Sequence, residues 1–333
     1  MAIGERIKLA RKKNFMSMED LSARVGVSKM AISKYEKNQD VPGSAVLIRL
    51  ARALDVSIEY LLRPQRESIQ LKAFRKHASL KVKEEEAILA QAQDWLERYL
   101  DVDELVVLDK EKTVLPTYEI DSIEQIEACS LDLRQKWNLG EDAIENMIEL
   151  LEDKNIRVGL IDGVNDFDAC TFWFDDEPVM VTKSNIPGDR QRFNLAHELG
   201  HLVLKVQEGL DEEKCAHRFA ASFLIPAATI KQELGEHRSS IDPNELYLLK
   251  HKYGISMQAL VYRTKDLGII SEAAALRIFK RFAIEGWRKE EPGKAVASER
   301  PQKMHQMIYR GLAEDIISPS RAKELLGEPI NLF

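Results

Sequence analysis

Apolar positions in the first 63 residues recur at helical spacing and are cut into five short runs. Ile3, Ile7, Leu9 and Ala10 make the first stripe. Ser17, with Asp20 three residues on, opens a second helix through Leu21 to Val25, and Gly26 breaks it. Ser28 caps a third, which turns Ile32 and Tyr35 inward. Pro42 and Gly43 punctuate. Val46, Leu47, Leu50, Ala51 and Leu54 mark a fourth helix, and Val56, Tyr60 and Leu61 a fifth, closed by Pro64. From 65 to 115 the pattern weakens to a connector, with a charged stretch, FRKHASLKVKEEE, read as a solvated helix face, and a helix over AILAQAQDWLERYL. Helices follow at 121–137 and 141–153. The period then changes. IRVGLI (156–161), ACTFWF (169–174) and PVMVTK (178–183) are short, β-branched and aromatic, and predict strands of a small sheet. A long helix follows Pro187-Gly188-Asp189 and another spans about 211–224, before Pro226. The remainder reads as helical, with loops at 237–243 and 291–302. The expected fold class is mainly α with a small β-sheet (α+β). The expected division is 1–66, a connector at 67–115, a body at 116–285 and a helical C-terminal region at 286–333.

Composition, cysteine use and charge narrow the reading further. Of the 333 residues, 44% are hydrophobic and 31% charged, enough apolar mass for more than one core and too much for a disordered chain. No run approaches the ~18 apolar residues of a membrane span, and the charged, amphipathic start lacks the apolar stretch of a secretory signal. Cys129, Cys170 and Cys215 are odd in number and widely spaced, which fits a reducing cytoplasm and no disulfide scaffold. The net charge of −7 is uneven: residues 1–66 hold thirteen Lys/Arg against seven Asp/Glu, so a +6 head is joined to a −13 body. That asymmetry suits a nucleic-acid module fused to something else.

The helices at 17–25 and 28–37, joined by Gly26-Val27, have the spacing of a DNA-binding helix-turn-helix. With Ile32 and Tyr35 inward, the cap Ser28 and then Lys29, Met30, Ser33, Lys34 and Lys37 face outward. These residues are the expected contacts with double-stranded DNA; the lysines suit phosphate, and Lys29 or Lys34 suits guanine as well. The stretch MSMEDLSARVGVSKMAISKYEKNQDVPGSAVLIRLARALDVSIEYLL resembles the Cro/repressor-like (XRE) family over nearly its whole length. The resemblance implies a homodimer on a palindromic operator.

The segment RQRFNLAHELGHLVL (190–204) contains HExxH, as His197, Glu198 and His201. Residues four apart on a helix lie about 40° apart in azimuth and ~6 Å along the axis, so both imidazoles can reach one ion. Glu198 can hold a water on that ion as general base without ligating it. Leu204 and Gln207 exclude the HExxHxxGxxH continuation. The third ligand is sought in EEKCAHRFAASFLIP. Its apolar face runs through Ala216, Phe219, Ala220, Phe223 and Leu224, and small Ala216 and Ala220 allow close approach on the Glu213 side. Glu213 is the better ligand, with a solvated helix-start acid as the alternative. His217, on the same side, is a candidate outer group around the ion, and Cys215 a small buried hydrophobe.

RQRFNLAHELGHLVL and EKCAHRFAASFLIP, with short strands just before the first, resemble the ImmA/IrrE family of zinc metallopeptidases over about residues 120–285. The resemblance implies a zincin-like fold of gluzincin type, with Zn2+ on His197, His201 and Glu213 and with Glu198 as base. It also implies a substrate strand added to the sheet edge near PVMVTK. His217 stands where that family often has Asn or Asp. Because such peptidases relieve repression by cleaving XRE-type repressors, the expected function is a cytoplasmic transcriptional regulator with a zinc-dependent endopeptidase domain. It would cut itself or a partner regulator under stress. The alternative is an antitoxin that represses its operon and neutralises a toxin partner by contact; a third reading makes the metal site a sensor of ligand or redox state. No membrane role is expected.

Overall fold

The computed structural model describes residues 3–63, 72–73, 81–106 and 114–327. The first five helices are α1 (Ile3–Lys13), α2 (Met18–Val25), α3 (Lys29–Glu36), α4 (Ser44–Leu54) and α5 (Ile58–Leu62). Their boundaries are written in local chemistry. Ser17 and Asp20 form a reciprocal capping box on α2, Gly26 ends it in the left-handed region at φ 70°, and the Ser28 hydroxyl accepts the Ala31 N–H at the start of α3. Ile7, Leu21, Ile32, Leu50, Leu54 and Leu61 meet in one fully buried core.

β1 (Lys72–Ala73) precedes the longest helix, α6 (Val82–Val106). β2 (Tyr118–Ile120), α7 (Gln125–Lys136) and α8 (Met147–Asp153) lead into β3 (Arg157–Ile161), β4 (Ala169–Phe174) and β5 (Glu177–Lys183). α9 (Gly188–Val203), β6 (Leu204–Val206) and α10 (Glu212–Leu224) follow. Then come α11 (Ala227–Leu234), α12 (Pro243–Tyr253), α13 (Met257–Asp266), α14 (Glu272–Ile284), α15 (Lys303–Ala313) and α16 (Pro319–Leu326). The chain is therefore α+β and mostly helical. The three expected strands fall within a residue of their predicted bounds. The helix expected at 141–153 starts only at Met147, where the Asn146 side chain caps it by accepting the Glu149 N–H. The three-residue β2 and β6 pair in parallel as a second sheet that the sequence pattern did not reveal.

The main sheet has the order β1-β4-β5-β3, with β3 and β5 parallel and β4 antiparallel to both of its neighbours. β5 is thus interior, hydrogen-bonded on both sides. PVMVTK itself has no free edge, since β3 fills one side and β4 the other, so an added strand near it would lie on an outer edge of the sheet. A run buried at Pro178, Val179, Met180, Val181 and Thr182 is what a strand flanked on both sides requires.

The stretch read as a connector holds a helix buried on several sides. Ile88, Ala92, Leu96 and Leu100 of α6 lie against the sheet residues Ile161, Phe172, Val179 and Val181. Tyr99, Val102 and Val106 pack with Met304, Ile308 and Leu325 of α15 and α16. A third side receives α1. Arg6 pairs with Glu97, both essentially sealed from solvent, and Arg63 reaches the same carboxylate at 3.1 Å. Lys13 Nζ lies 2.7 Å from Asp94, and Lys12 Nζ 2.8 Å from Glu86. The N-terminal helices are therefore clamped to the body by charges, and α6 is the element they share.

Candidate metal centre and DNA-reading face

α9 carries HExxH because its other faces are apolar: Leu195, Ala196, Leu199 and Val203 are fully buried in the main core. α10 crosses it closely at Gly200. A Cβ there would stand 3.3 Å from the Ala216 Cα and 3.0 Å from the Phe219 ring, so the glycine inside the motif lets the second helix approach. Asp211 caps α10 by accepting the Lys214 N–H, which brings Glu213 into the first turn, above the two histidines.

Three donors converge there. His197 Nε2 and His201 Nε2 are 3.0 Å apart. Glu213 Oε2 is 3.2 Å from His197 Nε2, and Oε1 is 3.4 Å from His201 Nε2. Ligands about 2.0–2.1 Å from a tetrahedral zinc ion stand roughly 3.3–3.4 Å from each other. The donor set is two imidazole nitrogens and a carboxylate, and its separations fit a single zinc ion. His217 is more peripheral. Its ring centroid is 4.4 Å from that of His197, it stacks on Phe193 at 5.8 Å, and one of its ring nitrogens lies within 4.8 Å of a His197 nitrogen and a Glu213 carboxylate oxygen.

The centre has a closed side and an open one. Glu198 is 8% exposed, and its Oε2 accepts a hydrogen bond from the Thr171 hydroxyl of β4 at 2.8 Å. The Glu213 side chain is 59% exposed, so solvent or a peptide can approach over α10. Sequence reasoning missed Thr171 and Phe193. For Thr171 the signal was a hydroxyl within a strand whose neighbours are all apolar, a polar atom that burial obliges to find a partner. The neighbouring Cys170 thiol is pushed well above its usual value by burial and by the Glu198 charge, so it is held neutral. Cys215 is 1% exposed within the apolar core, where burial raises its thiol likewise.

On α3 the outward residues lie as the periodicity predicts. Ser28, Lys29, Met30, Lys34 and Lys37 are exposed and Ser33 is half-exposed, while Ile32 and Tyr35 are buried. Two of the six have structural duties as well: the Ser28 hydroxyl caps the helix, and the Lys29 ammonium pairs with Glu19 of α2. Lys34 and Lys37 point into solvent. Among the described residues, no helix is long and apolar enough to cross a membrane.

Two regions of the chain match known families. Residues 7–61 match the family described as helix-turn-helix, and residues 152–265 match the family described as the IrrE N-terminal-like domain. Repressor protein C2 of Salmonella phage P22 is 41% identical over 61 residues, which are 18% of this chain and 28% of that protein. An uncharacterised HTH-type transcriptional regulator, YobD of Bacillus subtilis, is 34% identical over 58 residues, 17% of this chain and 52% of that protein. The HTH-type transcriptional regulator SinR of Bacillus subtilis is 37% identical over 67 residues, 20% of this chain and 60% of that protein. The chain thus spans between about a quarter and three-fifths of the length of these relatives. It joins an XRE-type helix-turn-helix, of the kind found in repressors, to a domain of the ImmA/IrrE type.

Proposed function

We propose that the protein is a DNA-binding transcriptional regulator whose body hydrolyses peptide bonds with a zinc ion held by His197, His201 and Glu213. The observation that carries this reading is the convergence of three donors at zinc-ligand separations beside a buried carboxylate on the same helix. Zinc bound there would polarise a carbonyl and acidify a water. Thr171 holds Glu198 in place by donating to its Oε2, and the Glu198 carboxylate would accept the proton of the attacking water. The water oxygen bonds to the carbonyl carbon, the amide C–N bond breaks, and Glu198 returns the proton to the departing amine. His217, whose ring lies against that of His197, would donate to the oxyanion.

The unit at 1–66 reads operator DNA through α3. Two copies of the chain on a palindromic site are the arrangement we favour, in the cytoplasm, where thiols stay reduced. The substrate is this chain or a partner regulator.

The test is a reporter driven by the protein's own promoter, in cells carrying wild type or Glu198→Gln, before and after DNA damage or oxidative stress. Derepression in wild type alone makes hydrolysis part of the switch. Identical responses reject it and favour regulation by contact, including neutralisation of a toxin.

A further inference from the structure

Two surface strips of the body carry charge that the described residues leave unneutralised. The first lies on α14 and the turn after it. Between residues 114 and 276, each of the five exposed Lys or Arg side chains pairs with a carboxylate, as Lys136 does with Asp132 at 2.6 Å and Arg190 with Asp168 at 2.7 Å. That pairing then stops. Arg277, Lys280, Arg281, Arg288 and Lys289 are all exposed, and among the described residues none of them has a carboxylate partner. Arg277 donates to the Ser239 carbonyl at 3.3 Å, and Arg281 lies over the Trp287 ring at 5.8 Å.

The strip has an apolar centre. Arg277, Lys280, Arg281 and Ile284 stand at i, i+3, i+4 and i+7, on the face of α14 opposite the buried Ala275, Ile278 and Phe282. Ile284 is 85% exposed there and Leu276 54%. Exposed apolar side chains rimmed by cations suit a protein partner, whereas a phosphate backbone offers them nothing.

The second strip is acidic. From Glu141 to Asp153 the sequence has six Asp or Glu and no Lys or Arg. Glu145, Glu149 and Asp153 are exposed at four-residue steps leading into and along α8, and among the described residues none of the three has a cationic partner. Four residues rise ~6 Å on a helix, the step that also separates Arg277 from Arg281, so the two strips match in spacing as well as in sign.

Both strips lie away from the DNA-reading face. Ile148 and Leu151 of α8 and Ala274 and Ile278 of α14 belong to the core that meets Val158 and Met180 on one face of the main sheet. α6, to which α1 is clamped, covers Val179 and Val181 on the other face.

We propose that the α14 strip docks on the 145–153 strip of a second copy of this chain. In a two-fold pair each copy offers its cations to the other's carboxylates, so the contact forms twice and the assembly closes. This requires neither zinc nor hydrolysis. It adds to the pair of copies favoured on a palindromic site a contact between the bodies that needs no DNA.

The test is sedimentation velocity on the full chain without DNA, at about 0.1 M and about 1 M salt, between which the Debye length falls from about 10 to about 3 Å. Wild type is compared with two charge-reversed proteins, Lys280→Glu/Arg281→Glu/Arg288→Glu and Glu145→Lys/Glu149→Lys/Asp153→Lys, whose melting temperatures confirm that they fold. We expect wild type to self-associate, and high salt and each reversal to weaken it at least about tenfold. An equimolar mixture of the two reversed proteins should recover association to within about threefold of wild type, because the facing charges are again opposite.

A wild type that stays monomeric up to about 50 μM, where even a weak specific contact would show, overturns the proposal. So does association that neither reversal moves, which would place the contact in the DNA-binding helices, and so does a mixture that does not recover. If the Lys280 triple variant associates like wild type but binds random-sequence duplex at least about tenfold more weakly, the strip is a DNA surface and the proposal falls. The promoter test with Glu198→Gln decides the peptidase reading separately.

Discussion

The DNA-reading face and the metal centre solve the same problem, holding a few polar side chains in place, by opposite means. The face is one surface of one eight-residue helix, set by a serine cap at its start and by two inward residues, Ile32 and Tyr35. Its chemistry is solvent-exposed and contiguous in sequence. The centre draws His197, Glu198 and His201 from α9, Glu213 and His217 from α10, and Thr171 from β4, and buries one side of the assembly. A face of the first kind tolerates change, since each lysine acts almost alone. A centre of the second kind is more sensitive to the loss of one member, because its separations depend on three packed elements at once.

The largest expected effect breaks the tie between the two regions. Glu97→Ala removes a buried carboxylate that pairs with both Arg6 and Arg63, which should cost about 3–5 kcal/mol in denaturant unfolding. The apolar pair Arg6→Met with Glu97→Leu should recover most of that. If Glu97→Ala unfolds like wild type, the clamp between α1 and α6 is not a stability element.

Next comes the centre itself. Glu213→Ala should lower zinc affinity by more than about 100-fold, since a lost ligand costs more than a lost outer partner. Operator binding measured at the same time should change less than about twofold. Zinc binding that survives this substitution would assign the third ligand to His217. Thr171→Val is a finer probe. It should keep the zinc stoichiometry and lower peptide hydrolysis by about 10- to 100-fold, because Glu198 loses the hydroxyl that orients it.

The smallest effect belongs to the DNA face. Lys34→Ala or Lys37→Ala should weaken operator binding almost uniformly across sequences and reduce the slope of log affinity against log salt by about 1. Zinc content should not move. A large, sequence-selective loss at Lys34 would show that it reads a base edge.

Much of this is legible in the linear sequence. The five N-terminal helices carry their own caps, breaks and inward stripes. The three strands of the main sheet announced themselves by β-branched and aromatic runs of the right length. HExxH was visible because two histidines at helical spacing around a glutamate place chemistry on one face. Glu213 was reachable by helix-wheel reasoning because α10 has small residues on the side that approaches α9.

Other features were hidden for specific reasons. α6 looked like a spacer because Asp94, Glu97 and Asp103 interrupt its apolar pattern. They are buried, and Asp94 and Glu97 have cationic partners 34 to 91 residues away, Lys13, Arg6 and Arg63, which no local window contains. Strand order was hidden as well: PVMVTK reads as a buried strand, but its apolar run does not say which strands flank it. β2 and β6 were invisible because three residues carry no period.

The division has a single physical cause. Hydrogen-bonded caps, turn glycines and helical or strand periodicity act over a few residues, so the linear chain was enough to give the helix-turn-helix, the strands and the HExxH face. Strand order, the burial of α6, the hydroxyl of Thr171 on Glu198 and the seating of Lys72–Ala73 on β4 depend on which distant surfaces meet. Packing and long-range pairing settle that, and they exist only once the chain has folded.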